Sequence, residues 1–124
     1  MSLSILVVDD FLTVRKMIRI ALRGVPGVKI AEADSAFLAW SMLQKNRYDL
    51  LLTDWVMPEM SGLELVQRVR AHPALAGMRI LMISAEAEQE KQALARRFGV
   101  DGFLPKPFTA SALTEEIRRL FGIA

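Results

Sequence analysis

Five times along this chain a short run of β-branched residues and leucine gives way to apolar residues at helical spacing. Ser4 to Val8 reads as a buried strand that stops at Asp9-Asp10. After it, Val14, Met17, Ile18, Ala21 and Leu22 form a helical stripe, closed by Gly24, Pro26 and Gly27. Val28 to Ala33 is a second strand, followed by Ser35 as a helix cap and a stripe of Ala36, Ala39, Trp40 and Leu43. Leu50 to Thr53 makes a third strand ending at Asp54, and Ser61-Gly62 opens a helix carrying Leu63, Val66 and Val69. Ile80 to Ile83 is the fourth strand, ending at Ser84, with a helix expected over Ala87 to Phe98. Phe103-Leu104 is a short fifth strand before Pro105-Lys106-Pro107, and Thr109 caps a last helix with the stripe Ala110, Leu113, Ile117, Leu120 and Phe121. Strands that alternate with helices must return through crossovers, so the sheet is parallel. Strands that read as unbroken apolar runs are covered by helices on both faces. The expectation is a doubly wound α/β domain.

Composition removes competing function classes. The chain has 124 residues, 52% of them hydrophobic, which suits one domain with a real core. Without cysteine there is no disulfide framework, thiolate zinc site or cysteine nucleophile. A single histidine, His72, argues against a Ser/His/Asp triad or a multi-histidine metal site, and beside Pro73 it reads as a solvated loop residue. Runs such as Ile80 to Ile83 are far too short to span a bilayer, and no signal-peptide pattern opens the chain, so a cytoplasmic protein without membrane contact is expected. A net charge of +2 is small, and Arg15, Lys16, Arg19 and Arg23 read as the wet face of the first helix rather than a nucleic-acid surface.

In open α/β sheets, ligands bind beyond the carboxyl ends of the strands. There this sequence places Asp9-Asp10, Asp54, Ser84 and, after the last strand, Lys106. Each alone has a plain structural reading as a cap, a turn or a surface lysine. Together, converging carboxylates repel one another and call for positive charge. Mg²⁺ with one or two carboxylates and a phosphate meets that need, and Lys106 adds a point charge. Ser84 offers a hydroxyl donor, and a carboxylate can itself be the nucleophile toward phosphorus.

Val7-Val8-Asp9-Asp10-Phe11, Thr53 to Pro58 with Gly62 to Leu65, Ser84 to Ala87 and Lys106 to Thr109 together resemble the receiver domain of two-component response regulators, nearest to the stand-alone chemotaxis regulators. The resemblance covers essentially the whole of residues 1–124. It implies a flavodoxin-like sheet of order 2-1-3-4-5 with five helices. It implies Asp54 as phospho-acceptor, and Asp9, Asp10, Asp54 and the backbone carbonyl of Val56 as ligands of Mg²⁺. Lys106 would bond the phosphoryl group, Ser84 would be the switch hydroxyl, and Phe103 the switch aromatic that turns inward. The Lys106-Pro107 bond would be cis. A histidine kinase would be the donor. The output would be altered binding of a protein target on the face of helix 4, strand 5 and helix 5, without turnover of an external substrate. A monomer is expected. The alternatives within this class are a phosphorelay intermediate, a phosphate sink, or the receiver part of a longer regulator; a phosphatase and a purely structural module are the readings outside it.

Two positions depart from the family pattern. Val56 is apolar where chemotaxis regulators commonly carry a polar side chain, which bears on the access of hydrolytic water. Phe103 lacks the hydroxyl of the more usual tyrosine. Trp55 is expected across the mouth of the site, and Trp40 in the core. Phe37, Leu38 and Met42 fall off the second helical stripe, and wrap-around burial is expected for them.

Overall fold

A computed structural model describes residues 2–123. Five strands, β1 (Leu3–Val8), β2 (Val28–Ala33), β3 (Leu50–Asp54), β4 (Arg79–Ser84) and β5 (Gly102–Pro105), alternate with α1 (Leu12–Ala21), α2 (Ala36–Lys45), α3 (Gly62–Ala71), α4 (Gln89–Arg97) and α5 (Ala110–Phe121). The sheet order is β2-β1-β3-β4-β5 and every pairing is parallel, as expected.

The period of the strands divides the core in two. Leu6, Val8, Leu51, Ile80 and Met82 face one side, where Ala36, Ala39 and Leu43 of α2, Leu65, Val66 and Val69 of α3 and Ala95 of α4 close over them. Ile5, Val7, Leu50, Leu52, Leu81 and Ile83 face the other, under Ile18 of α1 and Leu113 and Ile117 of α5. Each fully buried aliphatic side chain contributes about 1.5–3 kcal/mol relative to exposure. A one-residue slip of any strand would therefore exchange its whole apolar set between layers, and the register is strongly fixed.

The caps fall where the sequence puts them. The hydroxyls of Ser35, Ser61 and Thr109 accept from the backbone N–H groups of Leu38, Glu64 and Ala112 at 3.1, 3.1 and 3.0 Å. Helix α4 is shorter than expected: Ala87 and Glu88 stay outside it, because Glu88 is extended as the N-cap.

Several side chains depart from the periodic reading. Met17 is exposed, because the buried side of α1 centres on Ile18. Leu65 is buried although the stripe omitted it, and Ala110 is exposed. Phe37 and Leu38 are 51% and 44% exposed, so no wrap-around burial covers them, while Met42 is half-buried. Trp40 is half-buried rather than central. Its ring stands edge-on to His72 with centroids 5.9 Å apart, and the Arg68 guanidinium lies 6.0 Å from it. His72 is thus packed under an indole, not freely solvated.

Glu32 on β2 organises the basic face of α1. Its carboxylate meets Arg15 Nε at 2.9 Å and Arg19 Nη2 at 2.7 Å. The Arg19 hydrogen bond, with help from Arg15, holds the Glu32 carboxyl below its ordinary range against the opposing effect of burial. A lowered carboxyl contributes stability above its unfolded titration range, and that contribution fades as pH falls through the folded one. Glu32→Gln is expected to cost up to about 1 kcal/mol at pH 7 and nearly nothing at pH 3. Urea midpoints of both proteins at the two pH values check this, and an equal loss at both would reject it.

Gly62 opens α3 hard against the end of β3. Its N–H donates to the Trp55 carbonyl at 2.7 Å. A Cβ at this position would collide with the Asp54 carbonyl oxygen and sit 3.1 Å from Thr53 Oγ1. Gly62→Ala is accordingly expected to cost about 1–3 kcal/mol by overpacking. Thermal denaturation measures it; a variant as stable as the parent would show that α3 can retreat freely.

Candidate phosphoryl and metal site

The carboxyl edge of the sheet gathers the residues singled out in the sequence. Asp9 and Asp10 follow β1, Asp54 ends β3, Ser84 ends β4, and Lys106 follows β5. Oxygens of Asp9, Asp10 and Asp54 lie within 4.8 Å of one another. Two of the three residues are buried, Asp9 at 2% exposure and Asp54 at 6%.

Each carboxylate has a different set of partners. Asp9 Oδ1 accepts from the Phe11 N–H at 2.9 Å, and Asp9 Oδ2 meets Lys106 Nζ at 3.0 Å. Asp54 Oδ1 accepts from its neighbour's amide, Trp55 N–H, at 2.8 Å, and Asp54 Oδ2 lies 3.3 Å from Lys106 Nζ. Asp10 Oδ1 is buried with no hydrogen-bond partner among the described residues. An unsatisfied buried carboxylate oxygen beside two further carboxylates is the donor chemistry a hard divalent cation takes. The residues present therefore fit the implied Mg²⁺.

Burial raises the Asp54 carboxyl above the ordinary aspartate range. The Lys106 charge pulls it down, the nearby Asp9 pushes it up again, and the Lys106 and Trp55 hydrogen bonds favour the charged form. Lys106 thus faces both Asp9 and Asp54 with a single positive charge. The Lys106-Pro107 bond is cis, as expected.

Two supports around the site were not legible in the sequence. Arg15, read as part of the solvated side of α1, donates from Nη1 to the Asp9 carbonyl at 2.7 Å while Nε holds Glu32, and so ties the β1–α1 turn down. Thr53 Oγ1 is buried and donates to the Asp54 carbonyl at 2.9 Å. No local pattern marks either residue, since both depend on partners that only the fold supplies.

The two residues expected to switch, Ser84 and Phe103, lie in the neighbouring strands β4 and β5. Ser84 is buried one residue beyond Ile83, the register partner of Asp54. Phe103 already points inward, 7% exposed, with its ring edge-on to Trp55 at 6.4 Å between centroids. Trp55 is correspondingly 8% exposed and does not lie across the mouth of the site. The Val56 side chain does face solvent there. A surface groove lined in part by Arg47, Tyr48, Arg79 and Phe121 is at the opposite edge, at the amino ends of β3 and β4.

The fold and site have close relatives. Among curated proteins, the chain is 42% identical over 119 residues to the chemotaxis protein CheY of Pseudomonas aeruginosa, covering 96% of both chains. It is 40% identical over 120 residues to CheY-3 of Vibrio cholerae, covering 97% of this chain and 92% of that one. Among solved structures, the chemotaxis response regulator CheY4 of Vibrio cholerae superposes with a TM-score of 0.90 at 31% identity, over 97% of this chain and 99% of that one. The family model for the response regulator receiver domain matches residues 5–118. Fold, acidic cluster and sequence agree, and the chain belongs to the response regulator receiver family, as a signalling domain of the chemotaxis type.

Proposed function

We propose that the chain is a phospho-accepting regulator that takes a phosphoryl group on Asp54 from the phosphohistidine of a histidine kinase and signals by altered binding to a protein target. The observation that carries this reading is the Asp54 carboxylate, buried among the acidic cluster with one oxygen held by an amide and the other by Lys106.

In the reaction, an Asp54 carboxylate oxygen attacks phosphorus in line with the departing imidazole nitrogen. The P–N bond breaks as the new P–O bond forms, and the imidazole takes up a proton as it leaves. Asp9, Asp10, Asp54 and the Val56 carbonyl would hold Mg²⁺. That ion, when bound, supplies positive charge to the phosphoryl oxygens. Lys106 adds the second positive charge from the other side, and the Trp55 N–H fixes the orientation of the acceptor carboxylate. Desolvation of Asp54 leaves it a less stabilised, readier nucleophile than a surface aspartate.

The product carries roughly two negative charges on its phosphoryl oxygens in place of the single charge of the free carboxylate, a net gain of about one beside Lys106. Lys106 and the Ser84 hydroxyl are drawn toward it, and the face of α4, β5 and α5 is biased toward a target-binding state. On this reading residues 1–124 form one receiver, monomeric and cytoplasmic, binding neither nucleic acid nor membrane. The likeness to chemotaxis proteins over nearly their full length favours a chemotaxis output over a relay role.

Incubation with acetyl phosphate and Mg²⁺ is expected to add one phosphoryl group by intact mass, and Asp54→Ala to prevent it. An unmodified wild-type mass would overturn the assignment. Lys106→Ala is expected to leave Mg²⁺ affinity within about twofold, consistent with a role beside rather than in the metal shell. The same variant uncouples phosphorylation from target binding. Normal signalling by it would show that Lys106 is misplaced in this scheme.

A further inference from the structure

The loop between β4 and α4 is held at three points. The Glu86 N–H donates to Ser84 Oγ at 3.0 Å. Gln92 Nε2 donates to the Ala87 carbonyl at 2.8 Å. Lys91 Nζ, on the first turn of α4, meets Glu86 Oε2 at 3.4 Å. The same ammonium stands over the Trp55 ring, 5.4 Å from its centroid. Trp55 in turn packs edge-on against Phe103, and its amide holds Asp54 Oδ1. One cation therefore meets both Glu86, whose amide holds the Ser84 hydroxyl, and Trp55, whose amide holds Asp54.

The exposed Lys91–Glu86 pair would be weak by itself, since both side chains are nearly half in solvent, 45% and 49%. The aromatic face changes the balance. A cation over indole is attracted by the ring quadrupole, and Trp55 is buried on its other sides. The ammonium thus has two partners, the Glu86 carboxylate and the Trp55 ring. Ser84 Oγ accepts from Glu86 and donates to nothing among the described hydrogen bonds, so its proton is available to a new acceptor.

We propose that Lys91 is a positioning residue for the switch: shared between Glu86 and Trp55, it holds the β4–α4 loop and the Trp55–Phe103 pair in the arrangement that presents Ser84 to a phosphoryl group on Asp54. This rests on the reading of Asp54 as acceptor. Lys91 touches neither the acceptor nor the metal ligands, and acts through Glu86 and Trp55. Removing its charge loosens the loop, uncovers Trp55 and slows phosphoryl uptake, while the acidic cluster is unaffected.

The test compares Lys91→Met with Lys91→Arg, the first keeping length without charge and the second keeping the cation. In a Trp40→Phe background Trp55 is the sole tryptophan. Lys91→Met is expected to raise acrylamide quenching of Trp55 and to slow phosphorylation by acetyl phosphate about three- to fivefold, with Mg²⁺ affinity unchanged. Lys91→Arg is expected to restore both. Parental quenching and rate in Lys91→Met, failure of Lys91→Arg to rescue, or a matching fall in Mg²⁺ affinity would each overturn the proposal. If the parent protein takes no phosphoryl group, the acceptor assignment fails, and the quenching comparison still decides whether Lys91 holds Trp55.

Discussion

Like charges crowded at a sheet edge are the constraint on which this structure turns. Oxygens of Asp9, Asp10 and Asp54 lie within 4.8 Å of one another, and Asp9 and Asp54 are almost out of water. Such a cluster is costly in a folded protein unless each charge has a partner. Lys106 answers two of the carboxylates directly, and the amides of Phe11 and Trp55 answer the rest of Asp9 and Asp54. Lys106 can reach them only because β5 ends beside β4, whose neighbour β3 delivers Asp54. The order of strands and the chemistry at their ends are thus one arrangement. A different winding would leave three carboxylates with no cation among them.

That arrangement also joins the site to the core. Asp54 is bonded through one oxygen to the amide of Trp55, whose ring lies against Phe103 in the same apolar layer. Beyond these rings lies α4, short, polar and with only Ala95 fully buried. An element so lightly packed is displaced at lower cost than α3, which buries Leu65, Val66 and Val69. The well-buried helix abuts the end of β3 that carries Asp54, and the lightly packed one lies over Trp55 and Phe103. Phe103, without a hydroxyl to keep in water, is already at home in the apolar layer.

Most of this was readable from the chain, for a physical reason. Strands buried on both faces are unbroken apolar runs, so their ends are sharp, and Asp9, Asp54 and Ser84 announce themselves where those runs stop. Caps are local chemistry, and Ser35, Ser61 and Thr109 declare them within three residues. What was not legible needs two distant segments at once. Arg15 looks like any exposed arginine until β2 places Glu32 beside it and the β1–α1 turn offers the Asp9 carbonyl. Trp40 and His72 read as core and as solvent, and their packing against each other makes both intermediate. Helix α4 starts later than the periodic reading expects because Glu88, in extended conformation, takes the N-cap place.

The contact between Gly62 and the end of β3 has a consequence for how such a chain can vary. At most positions in a core, substitution can proceed by degrees, a methyl gained here and a neighbour trimmed there. At position 62 the space beyond Cα is already filled by the carbonyl of Asp54. No smaller step exists between glycine and a collision with that peptide. A lineage exploring new surfaces on α3 would be free at Glu64 or Gln67, which face solvent. The first residue of that helix is pinned, and with it the distance between a structural helix and the reactive end of a strand.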